Sequence, residues 1–400
     1  MSPADPRPRR SSPLLLVALG VDNFGSGLFL PLPILYAIQV IGLPLATAGT
    51  AITIGTFLGV CAPPLAGRLV DRVGPRRVVI GAQLLQAAGA GTYLIAGSAI
   101  HVLLAAALLA MGQQTFYSAV FALIADSAGP GPKDRTFAVA SIVRGASFGL
   151  GAFSASLLTN YSLAIAIDGI TFLAAGALLL FLPETPPHPS TDVPVSVWRN
   201  RPFLALIGVT ALFGLTVDFF LVGIPVYVVE ILHGPAWLPG AMLTLLTAVG
   251  TLTATLAIRL TRKLWRTTSM AIGAALYLLW ALASLAALAL PAAWRPPYLL
   301  AATLVLVAAN VISARANALA EAAAPRATRG RHLAAFQYAF TAAGIAAPGV
   351  VALFAVATWL PWIIVAATAA AAAAALPWLA RKLPRHAVTG EDANLTTGNR

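Results

Sequence analysis

The stretch GRLVDRVGPRRVV, residues 67–79, concentrates charge in a chain that carries little of it. Only 10% of the whole chain is charged, and nearly unbroken apolar sequence lies on both sides of this stretch. A short charged segment between two apolar segments is typical of a loop that joins two membrane-spanning helices. The charged side chains of this loop are Arg68, Asp71, Arg72, Arg76 and Arg77.

The composition predicts an all-α integral membrane protein. Of the 400 residues 59% are hydrophobic, and the mean hydropathy is +0.86. A soluble domain is about half apolar and about a quarter charged, so the excess apolar surface must face lipid. The net charge of +12 would favour nucleic acid in a soluble protein. Here the basic residues lie in short loops, so we expect a lipid bilayer as partner and no nucleic acid.

Twelve apolar segments are long enough to cross a bilayer as helices. A Pro-rich polar stretch at 183–201 separates the first six from the last six and reads as a linker. The predicted spans are 13–38, 45–66, 78–98, 101–124, 137–160, 162–182, 203–231, 238–258, 269–290, 298–320, 332–357 and 360–380.

The distribution of basic residues predicts the orientation. Of the 25 Lys and Arg residues, all except Arg144, Arg295 and Arg315 fall in the tails, the linker and the even-numbered loops. Basic residues collect on the cytoplasmic side, so we expect a multi-pass protein of the inner membrane with both termini in the cytoplasm. The apolar start is then a first span and not a cleaved signal. The predicted domains are a tail 1–12, a bundle 13–182, a linker 183–201, a bundle 202–381 and a tail 382–400.

The two predicted halves carry acidic residues at corresponding positions. Asp126 closes the fourth span and Glu321 the tenth, and Asp22 in the first span has a counterpart in Asp218 of the seventh. Paired halves of this kind build alternating access in many transporters.

The charged loop resembles the signature of the major facilitator superfamily, which runs Gly-x-Leu-x-Asp-Arg-x-Gly followed by basic residues. The matching positions are Gly67, Leu69, Asp71, Arg72, Gly74, Arg76 and Arg77, and Pro75 stands where a basic residue is usual. The resemblance covers nearly the whole chain. It implies two pseudo-symmetric six-helix halves and secondary transport by rocker-switch alternating access.

The resemblance also implies a conformational latch on the cytoplasmic side. Gly67 would let helices approach closely, and Gly74 would permit a tight turn. Asp71 would sit at the N-terminus of span eleven, and Arg72 or Arg76 would pair with Asp126. The alternative is that these basic residues only anchor the loop on the cytoplasmic side.

Ionisable residues inside spans are functional candidates because their burial in lipid is costly. Asp22 lies about nine residues into span one, roughly 13 Å deep at 1.5 Å per residue. Arg144 in span five has a similar depth, so the two can pair. Asp22 is the first candidate for proton coupling, and a structural ion pair is the alternative. Asn23 is expected to face another way on the helix.

Other intramembrane charges are weaker candidates. Asp218 serves either coupling or an outer gate. Arg315 either extends to the interface or lines the cavity with Asn310 or Asn317. Asp168 lies on span six, which the resemblance makes a peripheral helix, so we expect a structural role for it.

Polar and aromatic residues on the family's cavity-lining spans are candidates for substrate contact, because amide and aromatic groups in an apolar cavity suit a bulky hydrophobic solute. They are Gln113, Gln114, Phe116, Tyr117, Gln337 and Tyr338.

Span five carries glycines at a spacing that favours close helix packing, Gly145 and Gly149. The family's proton antiporters have a Gly-rich, Pro-containing signature in this span, but Leu150 stands where that Pro is expected. Pro348 is expected to kink span eleven instead.

No motif indicates an enzyme. The chain has no Walker loop, no catalytic triad context and no cluster with metal-ligand spacing, and Cys61 is its single cysteine. We expect no cofactor, no metal and a monomer.

The sequence therefore predicts proton-coupled efflux of hydrophobic or amphiphilic small molecules, with substrate and protons as partners. One alternative is proton-coupled import of a metabolite, an organic anion or a sugar. Others are passive uniport and a membrane sensor that transports nothing.

Overall fold

The computed structural model describes residues 11–29, 32–127, 134–158, 160–184, 197–261, 264–313, 315–325, 332 and 335–389. The rest of the predicted tails and linker lies outside this part of the chain. So do several basic residues of the loops and tails, namely Arg7, Arg9, Arg10, Lys133, Arg262, Lys263, Arg326, Arg329, Arg331 and Arg400.

The chain forms two compact units, Met1–Asp192 and Val193–Arg400, and the division falls inside the Pro-rich stretch 183–201. The secondary structure of the described residues is helical throughout.

In the part of the first unit that the structure describes, eight α-helices are present. They are α1 (Ser11–Phe29), α2 (Pro33–Gln39), α3 (Leu45–Leu58), α4 (Ala62–Val73), α5 (Pro75–Leu94), α6 (Ala99–Ser127), α7 (Asp134–Leu157) and α8 (Tyr161–Leu180). In this unit α1 packs against α7 and α8, and α5 packs against α6 and α8.

The described residues of the second unit include eight further α-helices. They are α9 (Arg201–Val226), α10 (Trp237–Thr261), α11 (Arg266–Ala286), α12 (Arg295–Ser313), α13 (Ala316–Ala323), α14 (Tyr338–Ala352), α15 (Leu360–Lys382) and α16 (Arg385–Thr389). A π-helical turn, Tyr227–Ile231, continues α9. Here α9 packs against α14 and α15, and α11 packs against α12 and α15.

Seven helical stretches among the described residues are long and apolar enough to cross a membrane. They are Ala99–Ile124, Tyr161–Leu180, Arg201–Ile231, Arg266–Ala289, Ala292–Ala323, Tyr338–Ala355 and Leu360–Lys382. The number becomes nine if two bent pairs each count as one span, Pro13–Phe29 with Pro33–Gln39 and Leu45–Cys61 with Leu65–Val73. The helical fold is confirmed, and the full count of twelve spans stays a prediction.

The charged loop of the motif is a tight turn between two helices. Gly74 separates α4 from α5 at φ +85°, in the left-handed region that glycine adopts most easily. Pro75 follows as the first residue of α5, where its missing N–H costs nothing. The tight turn expected at Gly74 is thus present.

Arg76 and Arg77 bind the end of α8. The Nε atom of Arg76 donates to the Leu179 carbonyl at 2.8 Å, and its Nη2 atom donates to the Leu180 carbonyl. The Nη2 atom of Arg77 lies 2.7 Å from Oε1 of Glu184, just beyond α8. The hydrogen bond and the charge of Arg77 hold the pKa of Glu184 below its usual range. The motif therefore satisfies carbonyls that a helix end leaves free.

Two expectations about glycine packing need correction. A Cβ on Gly67 or on Gly145 would meet nothing within 4 Å, so neither position is a close helix contact. The close approach of α1 and α7 lies at other glycines. A Cβ on Gly151 would collide with the Phe24 carbonyl, and a Cβ on Gly27 would collide with the Phe148 carbonyl. A packing role of Gly149 stays a prediction.

The second unit has an aromatic core. The buried rings of Trp280 and Trp362 lie 5.5 Å apart between centroids, and Tyr227 lies 4.7 Å from Trp362. The Tyr227 hydroxyl donates to the Ser284 carbonyl at 2.8 Å. Large buried rings of this kind dominate the packing energy of a core.

Two arginines of the second unit bind main-chain oxygens, as Arg76 does in the first unit. Arg266 Nη1 donates to the Ala387 carbonyl of α16 at 3.1 Å. Arg295 donates to the carbonyls of Leu290 and Leu232, at 3.0 and 3.1 Å. On α16, His386 Nε2 lies 3.1 Å from the Ala322 carbonyl of α13. The bonds of Arg266 and His386 hold α16 against α11 and α13.

Candidate functional site

The first unit encloses a buried polar group that we call the carboxylate centre: Asp22 and Asn23 on α1, Gln83 on α5 and Asp168 on α8. Each of these residues is less than a tenth exposed. Polar groups at this depth are costly unless other polar groups satisfy them. Their presence on three packed helices marks the centre as the leading candidate site of the unit.

Asp22 is held by two amides. Its Oδ1 atom accepts from Gln83 Nε2 at 2.7 Å, and its Oδ2 atom accepts from Asn23 Nδ2 at 3.1 Å. The same Asn23 amide donates to the Leu19 carbonyl at 2.8 Å. Asn23 therefore shares the site, contrary to the expectation that it faces away, because its side chain folds back along the helix.

Arg144 faces Tyr117 and does not bind Asp22 directly. Its guanidinium carbon lies 5.1 Å from the centre of the Tyr117 ring, an arrangement typical of a cation–π contact. The Nε atom of Arg144 is buried and has no hydrogen-bond partner among the described residues. Its positive charge still acts on Asp22. Arg144 and Asp22 therefore interact through their charges, and no hydrogen bond joins them as the expected ion pair would require.

Gln83 was not a candidate from the sequence. A single amide in an apolar span carries no distinctive signal, and its role depends on the helix that meets it. Gln83 Oε1 is buried without a partner, as is the Nε2 atom of Gln86 one turn later. The only available hint was a pair of glutamines in an otherwise apolar third span.

The other candidates of the first unit are dispersed. On α6, Gln113 and Tyr117 are exposed, Gln114 is half-buried and Phe116 is buried. Asp71 and Arg72 lie on the last turns of α4, and Asp126 is half-buried near the end of α6. Arg76 is engaged with α8 and Glu184, so it does not take the expected place beside Asp126. The remaining latch contacts of Asp71 and Arg72 stay predictions.

In the second unit Asp218 lies half-buried on α9, facing α14. Its Oδ2 atom is 3.7 Å from the position that a Cβ on Gly344 would take. This is an ordinary van der Waals distance, so the carboxyl group lies directly beside α14. Its role in coupling or gating stays a prediction.

Asn310 and Arg315 do not meet. Asn310 Oδ1 accepts from the Tyr277 hydroxyl at 3.3 Å, whereas Arg315 Nη2 donates to Thr261 Oγ1 on α10 at 2.7 Å. Arg315 interrupts the helix between α12 and α13. Both alternatives for Arg315, extension to the interface and a cavity lined with Asn310 or Asn317, stay predictions.

The candidates at the start of α14 are accessible. Gln337 is exposed and precedes the helix, and Tyr338 is half-buried at its first position. Contact with a substrate stays a prediction for both. Among the described residues no group of three or more His, Cys, Asp or Glu side chains could hold a metal ion.

Large parts of the chain are similar to known proteins. A family model described as Major Facilitator Superfamily matches residues 14–294. A protein of Vibrio anguillarum named tetracycline resistance protein, class G, is 31% identical over 236 residues, which make up 54% of this chain and 57% of that protein. The chain thus spans little more than half the length of that relative.

Solved structures share the architecture. The nucleoside transporter NupG aligns with a TM-score of 0.75 and 15% identity, over 92% of this chain and 99% of NupG. An auto-inhibited peptide transporter of the POT family aligns with a TM-score of 0.75 and 16% identity, over 93% of this chain and 97% of the transporter. At these identities the likeness shows the fold alone.

Proposed function

We propose that this chain, which belongs to the major facilitator superfamily, exports hydrophobic or amphiphilic small molecules in exchange for protons by rocker-switch alternating access. Membership of the family makes it a multi-pass membrane protein and a secondary transporter of small molecules, and not an enzyme. The export direction, the substrate class and the coupling ion are the proposal. We further propose that it acts as a monomer in the inner membrane with both termini in the cytoplasm.

The observation that carries proton coupling is the setting of Asp22. A carboxyl group buried in a lipid-embedded helix is expensive to keep charged. Amide donors from Gln83 and Asn23 and the nearby charge of Arg144 favour the charged form, whereas burial favours the neutral one. A group balanced between these influences can take up and release a proton during a transport cycle.

Proton transfer at Asp22 would change its hydrogen bonds. The ionised carboxylate accepts from amides of α1 and α5, and a proton on one oxygen converts that oxygen into a donor. The bond between α1 and α5 would then have to rearrange or weaken. In this proposal Asp218 on α9 is the second coupling candidate.

Export is supported by the tetracycline resistance relative and by the residues of α6. Resistance in the name of that relative fits removal of a toxic compound, although it matches only part of the chain. Gln113 and Tyr117 present amide and aromatic groups on a mostly apolar helix. Such groups suit a solute that is mostly apolar with a few polar atoms.

The test is the accumulation of a panel of dyes and antibiotics in a pump-deficient host that expresses the full chain. We expect lower accumulation of at least one compound, and loss of this effect with a protonophore and with Asp22→Asn. Thr92→Ala is the matched control, because its exposed hydroxyl bonds only the Ala88 carbonyl of its own helix. Full export by Asp22→Asn would overturn coupling through Asp22.

A second candidate function is proton-coupled import of an organic anion. It is favoured by Arg144, whose buried Nε atom has no hydrogen-bond partner among the described residues and could bind a carboxylate or phosphate. Unchanged accumulation of every compound in the panel, together with uptake of a labelled organic anion that Arg144→Gln abolishes, would replace export with import.

A further inference from the structure

Two helices of the second unit, α11 and α15, pack side by side and run antiparallel. Each belongs to a stretch that is long and apolar enough to cross a membrane. Trp280 near the end of α11 lies 5.5 Å from Trp362 near the start of α15, measured between ring centres. At the opposite end, the start of α11 contacts α16, which directly follows α15. The start of α11 and the end of α15 therefore lie at the same end of the unit.

An exposed tryptophan stands at each of these two helix ends. Trp265 directly precedes α11 and is 56% exposed, and Trp378 in the last turns of α15 is 51% exposed. Trp265 precedes Trp280 by fifteen residues, and Trp378 follows Trp362 by sixteen. At 1.5 Å per residue, both lie about 22–24 Å along the helices from the buried tryptophan pair. Tryptophans at one common depth are typical of the interface between hydrocarbon and lipid headgroups.

The exposed side of each helix is apolar over most of its length. On α15 the exposed residues before Trp378 are all apolar, namely Ile363, Ala367, Ala371, Ala374 and Pro377. The exposed residues of α11 beyond its first turn are also apolar, namely Ile272, Ala275, Leu279, Leu282 and Ala286. On a membrane-spanning helix, an apolar stripe that ends at an interfacial tryptophan suits contact with acyl chains.

Beyond the tryptophans lie four basic side chains that we call the basic patch: Arg266, Arg381, Lys382 and Arg385. Arg381 and Lys382 follow Trp378 by three and four residues, so they share its side of α15 one turn farther out. Both are exposed, as is Arg385, and none of the three forms an ion pair with a carboxylate of the described residues. Cations one turn beyond an interfacial tryptophan lie at the depth of lipid phosphates.

The short helix α16 fixes the shape of the basic patch. Arg266 Nη1 donates to the Ala387 carbonyl at 3.1 Å, which ties α16 to the start of α11. Arg385, the first residue of α16, stays exposed while the segment packs against the unit through three buried side chains, Leu383, Ala387 and Val388. The cations of this end are therefore held together by folded structure and do not belong to a free tail.

Negative charge is scarce around the basic patch. The sequences of α11, α15 and α16 contain no Asp or Glu. On α13, which also packs against α16, the acidic residue is Glu321. Four cations thus stand against one carboxylate on these described helices, and a basic patch at headgroup depth attracts anionic lipid. Basic residues that only set the orientation of the chain would need neither the two level tryptophans nor the docked helix.

We propose that the basic patch is a binding site for the headgroup of an anionic phospholipid. Its cations bind the lipid phosphate, Trp378 packs at the glycerol region, and the acyl chains lie along the apolar side of α15. The site is separate from the carboxylate centre of the first unit, and it does not depend on the direction of transport.

Native mass spectrometry of the purified full chain in detergent, titrated with phosphatidylglycerol, tests this proposal. We expect phosphatidylglycerol to bind more tightly than phosphatidylcholine with the same acyl chains. The triple variant Arg381→Gln, Lys382→Gln and Arg385→Gln should lower the affinity for phosphatidylglycerol on the order of 100-fold, since each cation near an anionic lipid contributes roughly a factor of five.

A matched control removes the same amount of charge elsewhere. Arg68→Gln, Arg199→Gln and Arg201→Gln together replace three other exposed arginines, and this variant should bind phosphatidylglycerol like the parent protein. Arg385→Gln alone leaves α15 unchanged and should lower the affinity roughly fivefold, which keeps the test valid if the triple variant fails to fold. Trp378→Ala should also weaken lipid binding, whereas inorganic phosphate in excess should not displace the lipid.

Equal affinity for the two lipids would overturn the proposal, as would equal losses in the patch variant and the control variant. Displacement of the lipid by inorganic phosphate would also overturn it, because the occupant would then be a soluble anion. Failure of the proposed export is a separate outcome, since lipid affinity is measured without any transported compound.

Discussion

The hydrogen bonds from Arg76 to the end of α8 allow a prediction of how much this residue, at the start of α5, contributes to the free energy of unfolding. Arg76 is 12% exposed, and it donates two hydrogen bonds from one guanidinium to the last carbonyls of α8. A hydrogen bond to a charged group contributes about 1.5–3 kcal/mol. Truncation to alanine also removes the conformational entropy cost of holding the Arg76 side chain in place, and this offsets up to about 2 kcal/mol of what the two hydrogen bonds contribute. We expect Arg76→Ala to lower the free energy of unfolding by about 3 kcal/mol.

The corresponding change in melting temperature is measurable. For a domain of 150–250 residues, each kcal/mol shifts Tm by about 2–4 °C, so Arg76→Ala should melt roughly 6–12 °C below the parent protein. The assay is thermal unfolding of the purified full chain in detergent, followed by the loss of the monodisperse fraction. Arg76→Lys should fall between the two, since it keeps the charge at the helix end but loses the forked geometry.

Arg77→Ala is the matched control for this prediction. Its side chain is 60% exposed and its partner Glu184 is 66% exposed. Exposed ion pairs contribute little, so we expect a shift of about one or two degrees at most. The reasoning fails if Arg76→Ala and Arg77→Ala melt together, because burial and main-chain acceptors would then have no special effect.

Two further predictions concern packing. Gly151→Val should prevent correct assembly of the first unit, because its Cβ would meet the Phe24 carbonyl, whereas Gly145→Ala should express and melt like the parent protein; equal yields of monodisperse protein for both would contradict this. Trp280→Ala should destabilise the second unit by about 3–5 kcal/mol, since the ring is fully buried against Phe220 and Trp362, and a melting temperature within error of the parent would show that the aromatic core does not hold this unit together.

The architecture was predictable because lipid imposes simple rules on sequence. Apolar length, basic loops and the turn at Gly74 all follow from local chemistry, and they indicated a helical membrane protein. The family was indicated by the resemblance of the charged loop to its signature, and the family model confirms it. The span count was less secure. Helices such as α5 contain amides, and α4 begins at a double proline that bends its span by 45°. These features blur the hydropathy signal on which counting depends.

The contacts inside the helical units were less predictable. Other small residues of span five share the four-residue spacing of Gly145 and Gly149, for example Ser147 and Gly151, so periodicity alone does not say which side meets α1. The structure selects Gly151. Similarly, Arg76 had an expected acidic partner in Asp126, whereas its acceptors are main-chain carbonyls that leave no trace in the sequence.

In the buried site of the first unit, some residues were predictable from the sequence and others were not. Asp22 and Arg144 stood out because charge inside a span is rare, and the structure places them within electrostatic reach of each other. Gln83 and the closeness of Asp168 depend on how α5 and α8 pack against α1. How these helices pack is determined by the complementary shapes of many side chains, so no short sequence motif predicts it.

The bonds from Arg76, Arg266 and Arg295 to main-chain oxygens have an evolutionary consequence. A carbonyl is present whatever side chain its residue carries, so mutation cannot remove the acceptor while the helix end keeps its shape. Each arginine can therefore stay constant while the residues it binds drift freely. Methods that infer contacts from correlated substitutions should miss these three attachments, even though they join segments far apart in the chain.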